Sequence, residues 1–212
     1  MAVYKRGYQR YAGPLTPRRS RVLAFPRYAW KRLLEQRLVV IVLMASLFWP
    51  LACAVFVYLA NRADLLQGFP SEFLNFVQVK EQFFLIFLNV QAVAAVMLAA
   101  LAGPGLVAPD LENNALPLYF SRPITRLDYV LSRLLIIGGL LSPVTWAPGL
   151  LLFAMQSGLA GWGWFAANWR IGVGLLAGSL LWVLLVALVA LAASAYIRWR
   201  VIAGALVLAF FF

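Results

Sequence analysis

The charged residues with the clearest pattern lie in one segment, residues 109–133. This segment contains six of the 25 charged residues of the chain. Asp110 and Glu112 come first, and acidic side chains suit the start of a helix because the helix dipole favours negative charge there. An apolar stripe at helical spacing follows, made by Leu111, Ala115, Leu118 and Tyr119. We therefore expect either a solvated loop or a short helix that docks on a cytoplasmic partner.

The same segment predicts where the next helix begins. The stretch 121–126 contains a proline and is expected to turn the chain. Thr125 has a side-chain oxygen that can cap a helix, and Asp128 follows three residues later, as in a capping box. We expect the helix to begin after Thr125.

The sequence lacks most of the side chains that usually bind cofactors or take part in catalysis. There is no histidine, which removes the commonest ligand of haem, zinc and copper. Cys53 is the single cysteine, so a disulfide within the chain and a cysteine-ligated cluster are both excluded. No Walker A sequence occurs either. We expect a chain that is not an enzyme and that has no cofactor, metal site or catalytic residue.

The composition indicates the elements that must position these side chains. Of the 212 residues, 64% are hydrophobic and 12% are charged, whereas an ordinary soluble domain carries about 25% charged residues. Too little polar surface remains to cover a soluble core. The sequence therefore predicts an all-α fold, a polytopic transmembrane helical bundle.

Stretches without acidic or basic residues mark the spans, since about 20 apolar residues cross a bilayer core. We expect a transmembrane domain over 38–212, with four complete spans and a fifth that is cut short, so that the polypeptide continues beyond Phe212. The expected spans are about 38–60, 82–106, 130–155, 171–196 and 201–212. A cytoplasmic loop over 109–128 separates the second span from the third. We also expect a turn at 156–158, and kinks at Pro50 and at Pro143 with Pro148.

Two basic segments precede the first span. Residues 1–20 are expected to form an extended cytoplasmic arm, and residues 21–37 an amphipathic helix in the membrane interface. The predicted interfacial anchor residues are Trp30, Lys31, Arg32 and Arg37. Because this basic run abuts a span, we expect it to contact anionic lipid or a partner protein, and no nucleic acid.

The distribution of basic residues predicts an orientation. Fifteen of the 18 lysines and arginines fall on the side of the chain's N-terminus. Such an excess marks the cytoplasmic side of a membrane protein. We expect a multi-pass protein of the cell (inner) membrane with a cytoplasmic N-terminus.

The expected spans carry no ionisable residue in their central turns, which argues against ion-coupled transport. Asn89 and Gln91 are the notable polar residues, and we favour hydrogen bonds between helices over contact with a substrate. Gly174 and Gly178 allow close helix approach, and we favour packing within the subunit over a dimer contact.

Over residues 109–133 the sequence resembles the membrane permeases of type-2 ABC transporters. An acidic start and leucines precede a Ser-Arg-Pro-Ile-Thr-Arg stretch, followed by an aromatic and a basic residue. The matching residues are Asp110, Glu112, Leu116, Leu118, Ser121, Arg122, Pro123, Ile124, Thr125, Arg126, Tyr129 and Arg133. The chain departs at Asn114-Ala115, where many members have Gly-Thr, and at Pro117.

The resemblance implies a permease subunit of an ATP-driven exporter, with six spans in the full protein. The implied partners are an ATP-binding cassette ATPase subunit, a second permease in a homo- or heterodimer, and lipids. The implied partner-coupling residues are Asp110, Glu112, Leu116, Leu118, Tyr119, Arg122 and Arg126. Two alternatives stay open: a non-catalytic structural or accessory membrane subunit of a larger complex with a permease-like fold, and a carrier of a redox or photosynthetic cofactor.

Overall fold

A computed structural model describes residues 18–62, 79–117, 121, 125–197 and 199–212, and every regular element in those residues is an α-helix. The expected extended arm therefore lies outside the described residues, except for 18–20, which are helical. The eight described helices are α1 (Arg18–Leu34), α2 (Arg37–Ala60), α3 (Glu81–Ala102), α4 (Pro104–Glu112), α5 (Arg126–Leu141), α6 (Trp146–Ala160), α7 (Trp162–Tyr196) and α8 (Arg200–Phe211).

Three segments are long and apolar enough to cross a membrane: α2, α3 with α4, and α7. The helices α5 and α6 add a fourth crossing if they count as one span, bent by 43° at their junction. The segment α3–α4 has 32 residues and α7 has 35. At 1.5 Å per residue both are roughly 50 Å long, so their ends extend beyond the ~30 Å hydrocarbon core.

The bundle is centred on α7, which packs against α3, α4, α5, α6 and α8. Small residues fill the core where α3 meets the second half of α7, including Ala95, Ala99 and Ala190. A Cβ atom at Gly103 would lie 2.8 Å from Ala190 Cβ, so the glycine permits this close approach. Small residues at helix contacts are the usual solution in membranes, where packing replaces the hydrophobic drive.

A second core lies at the opposite end of the bundle and is aromatic. Phe84, Phe87 and Phe153 are buried there with Cys53 and Val57. The rings of Phe84 and Phe153 lie 6.2 Å apart in an edge-on arrangement, which aromatic pairs favour. The two ends of the bundle are thus packed by different means, with alanine and branched aliphatic side chains at one end and aromatic rings at the other.

The third predicted span differs from the structure in its shape. A single helix over 130–155 was expected, but the chain forms α5 and α6, which are separated by a short turn at 142–145. Pro143 lies in this turn, where its ring and missing N–H interrupt a helix. The turn expected at 156–158 is wrong, because α6 continues to Ala160. The chain turns at Gly161 instead, whose φ of 87° favours glycine.

The N-terminal helix differs in its bounds and contacts from the expected segment 21–37. It ends at Leu34, and Arg37 begins the next helix. The helix α1 packs against α5, where Trp30 Nε1 donates a hydrogen bond of 2.9 Å to the Ile136 carbonyl oxygen. The position of α1 in a membrane interface stays a prediction. Trp30, however, contacts another helix of the protein.

Gly139 determines whether Trp30 can dock on α5. A Cβ atom at Gly139 would lie 2.2 Å from Trp30 Cζ2, whereas one at Gly138 would meet nothing closer than 3.9 Å. We expect Gly139→Ala to displace the indole ring and to lower the free energy of unfolding by about 1–3 kcal/mol. The matched Gly138→Ala change should be neutral or stabilising, because alanine favours helix. Thermal unfolding in detergent measures both, and equal melting temperatures would contradict the docking of Trp30.

Candidate functional site

The candidate site is the junction of α4 and α5, at the two ends of the predicted coupling loop. Asp110 lies in the last turn of α4, and Arg133 lies two turns into α5. Arg133 Nη2 forms an ion pair with Asp110 Oδ2. Tyr129 Oη donates a hydrogen bond of 2.8 Å to the same carboxylate oxygen. One acidic side chain therefore joins the helices on either side of the loop.

This ion pair is largely shielded from solvent. The side chains of Arg133 and Asp110 are 10% and 16% exposed, so their attraction is screened less than that of a surface pair. The Arg133 guanidinium carbon also lies 4.9 Å from the centre of the Tyr129 ring, within range of a cation–π contact. Removing one partner of such a pair leaves the other charge uncompensated.

The start of α5 is fixed by the predicted capping box, which is confirmed. The Asp128 N–H donates to Thr125 Oγ1 at 3.2 Å, and the Thr125 N–H donates to Asp128 Oδ2 at 3.1 Å. These bonds satisfy two backbone donors that a helix start otherwise leaves free. The capping box therefore fixes the first residue of the helix that contains the ion-paired Arg133.

The end of α4 corrects one sequence prediction. Asp110 and Glu112 were expected at the start of a helix, but α4 begins at Pro104 and ends at Glu112. Asn114 follows with a φ of 49°, and the Ala115 N–H donates to the Asp110 carbonyl oxygen at 2.8 Å. Asparagine just past a helix adopts this left-handed conformation readily, so Asn114 was the signal for a helix end.

A buried serine joins α4 to α7. Ser194 Oγ accepts a hydrogen bond from the Ala108 N–H at 3.0 Å and lies 3.1 Å from the Pro104 carbonyl oxygen, to which it donates. In a regular helix these two backbone groups would bond to each other. The hydroxyl therefore ties the turn of α4 before Asp110 to the end of the longest helix. No pattern in the sequence singled out this serine.

The predicted partner-coupling residues fall into three groups. Asp110 takes part in the ion pair and is not free for a partner. Glu112 and Arg126 are exposed, and Leu116 is half-buried. The other three lie outside the described residues: Leu118, Tyr119 and Arg122. The described part of the loop thus offers one acidic and one basic side chain to a partner.

The four predicted interfacial anchor residues lie in different surroundings. Lys31 and Arg32 are exposed in the last turn of α1, as a lipid contact requires. Trp30 packs on α5, as described above. Arg37 begins α2 and lies at a groove that Arg200 also lines.

A small cavity of about 240 Å³, apolar over most of its lining with a few polar groups, lies between α3 and α7, near the midpoint of α7. Gln91 Nε2 donates to the Ser46 carbonyl oxygen at 3.3 Å, which confirms for Gln91 the expected bond between helices. Gln91 Oε1, Ser179 Oγ and Trp182 Nε1 are buried there without a partner among the described residues. The lining carries no charge, so the cavity suits a neutral group with both polar and apolar parts.

The outer rim of this cavity faces away from the bundle. Asn89 and Gly178 line it and are exposed. A Cβ atom at Gly174 or Gly178 would meet nothing within 4 Å. The expectation that these glycines pack within the subunit is therefore wrong for the described residues.

Comparisons with protein-family models, curated proteins and solved structures found no match to this chain. The resemblance to type-2 ABC permeases therefore stays a prediction from residues 109–133.

Asp110 and Glu112 provide a matched pair for testing the junction. Asp110→Asn should lower the free energy of unfolding by about 2 kcal/mol or more, because the largely buried Arg133 charge loses its counter-ion. Glu112→Gln, two residues away on an exposed position, should change it by less than about 0.5 kcal/mol. Chemical unfolding in detergent micelles measures both values. Equal effects of the two changes would contradict a structural role for the ion pair.

Proposed function

We propose that this chain is the membrane-spanning permease subunit of an ATP-driven ABC exporter. In this proposal a separate ATP-binding subunit docks on the cytoplasmic loop 109–128. The chain does not hydrolyse ATP itself. The protein lies in the cell (inner) membrane with a cytoplasmic N-terminus, as the basic residues of its sequence predict.

The observation that best supports the proposal is the contact of Asp110 with Arg133 and Tyr129. It joins the two helices that flank the loop, so a displacement of the loop moves both helices together. A flexible loop without such a contact would absorb the displacement instead. Ser194 extends the connection from α4 to α7, which packs against most of the other helices.

Two surfaces suit the proposed protein partners. Glu112 and Arg126 present opposite charges at the loop, where an ATP-binding subunit would contact them. The exposed face with Asn89, Gly174 and Gly178 suits a second permease, because small residues allow close helix approach and an amide can bond across helices. The proposal places the homo- or heterodimer contact on this face.

The proposed substrate is amphipathic or neutral. The described spans offer an uncharged, mostly apolar cavity with polar groups at Gln91 and Ser179, and a charged substrate would require a compensating charge in the membrane. This chemistry favours a molecule such as a lipid over an ion.

Purification of the full chain from its native membrane tests the partner. We expect an ATPase subunit with a Walker A sequence to co-purify in about equal amount. Combining Glu112→Lys with Arg126→Glu should abolish this association, since both changes reverse exposed charges at the loop. Arg170→Glu reverses an exposed charge near the other end of the bundle and should leave the association intact.

The outcomes separate the proposal from its alternative. Co-purification of non-ATPase membrane proteins alone would favour the structural or accessory subunit. If an ATPase co-purifies equally with all variants, docking does not occur through these loop residues.

A further inference from the structure

A groove of about 710 Å³ runs along the outside of the bundle between α2, α3 and α8. Its walls are apolar and partly exposed, as expected for a surface in contact with acyl chains. The apolar wall residues are Leu38, Val39, Met97, Ala100, Leu101, Val201, Ala205 and Leu208. None of the residues that line the groove is acidic.

Two arginines stand at one end of this groove, and both are exposed. Arg200 Nη2 donates to Gln36 Oε1 at 2.5 Å and to the Leu101 carbonyl oxygen at 3.3 Å, which fixes its guanidinium group at the groove mouth. Arg37 lines the same mouth. Residues 35–36 connect α1 to α2, and the acidic one, Glu35, is exposed and does not line the groove.

The same mouth is formed by the starts of two helices. Arg37 is the first residue of α2 and Arg200 is the first residue of α8. Neither Gln36 nor Trp199, the residues before them, forms a side-chain cap hydrogen bond. The first N–H groups of a helix have no acceptor within it, and the dipole makes this end positive. Two such ends beside two arginines make the groove mouth electropositive, as binding of a phosphate group requires.

We propose that this groove binds an anionic phospholipid. The headgroup phosphate lies between Arg37 and Arg200, and an acyl chain follows the apolar wall towards Leu208. A basic pocket between transmembrane helices recognises anionic headgroups in this way. The proposal does not depend on transport activity, because it rests on the groove alone.

Thermal unfolding of the delipidated full chain in neutral detergent tests the proposal. Dioleoylphosphatidylglycerol should raise the melting temperature, and dioleoylphosphatidylcholine at equal concentration should raise it much less. Arg37→Gln should weaken the apparent affinity for the anionic lipid about fivefold, as expected for the loss of one charge near a headgroup. Arg170→Gln removes an exposed charge near the opposite end and should leave the affinity unchanged.

Arg37 is the variant of choice, because Arg200 also holds Gln36 and the end of α3. Arg200→Lys keeps the charge at the second position and should retain most of the lipid preference if it folds. Equal stabilisation by both lipids would overturn the proposal, and so would an equal loss of affinity in Arg37→Gln and Arg170→Gln. Stabilisation by inorganic phosphate alone would show a free anion site. Disulfide dimers of Ala205→Cys would show that a second copy covers the groove.

Discussion

The bundle depends on a constraint that lipid imposes, namely that polar groups must find their partners within the protein. Three of the described contacts at breaks in helices follow this constraint. Thr145 Oγ1 donates to the Leu141 carbonyl oxygen at 2.9 Å beside the α5–α6 turn. Ser194 Oγ donates to the Pro104 carbonyl oxygen at the start of α4, and Arg200 Nη2 donates to the Leu101 carbonyl oxygen at the end of α3. Irregular backbone is stable at these places because a nearby side chain bonds to it.

The same constraint explains why the ion pair lies at the junction of α4 and α5. A carboxylate and a guanidinium group inside the hydrocarbon would cost several kcal/mol each. The segment α3–α4 is longer than the bilayer core is thick, so it can span the core with its last turn at the interface. There Asp110 is shielded enough to hold Arg133 strongly, yet close enough to water for its neighbours Glu112 and Arg126 to be exposed.

Features with local causes could be predicted from the sequence. The membrane class follows from composition, and the start of α5 follows from Thr125 and Asp128, which contact each other over one helical turn. The pairing of Asp110 with Arg133 could not be predicted, since it requires two helices to meet across 23 residues of chain. The docking of Trp30 on α5 spans 106 residues. In its own segment Trp30 resembles an interfacial residue, because aromatic side chains at a basic helix end are usual there.

The two ends of the bundle differ in how their helices are joined, and this bears on the proposed coupling. At the end with the loop, Trp30 and Arg200 join helices through hydrogen bonds, and Asp110 joins α4 to α5 through a largely shielded ion pair. A net hydrogen bond such as that of Trp30 contributes only about 0.5–1.5 kcal/mol, whereas breaking a shielded ion pair costs more. At the opposite end, the packed rings around Phe153 have no comparable substitute in water.

Under the proposed function, a displacement of the loop would act first on the polar contacts at the same end of the bundle. The turn at Pro143 gives the third span a place to bend between the two. Under the proposed function, the helices would separate on the side of the loop and pivot about the ring cluster. The cavity at Ser179 lies between these two regions, so such a motion would change its width.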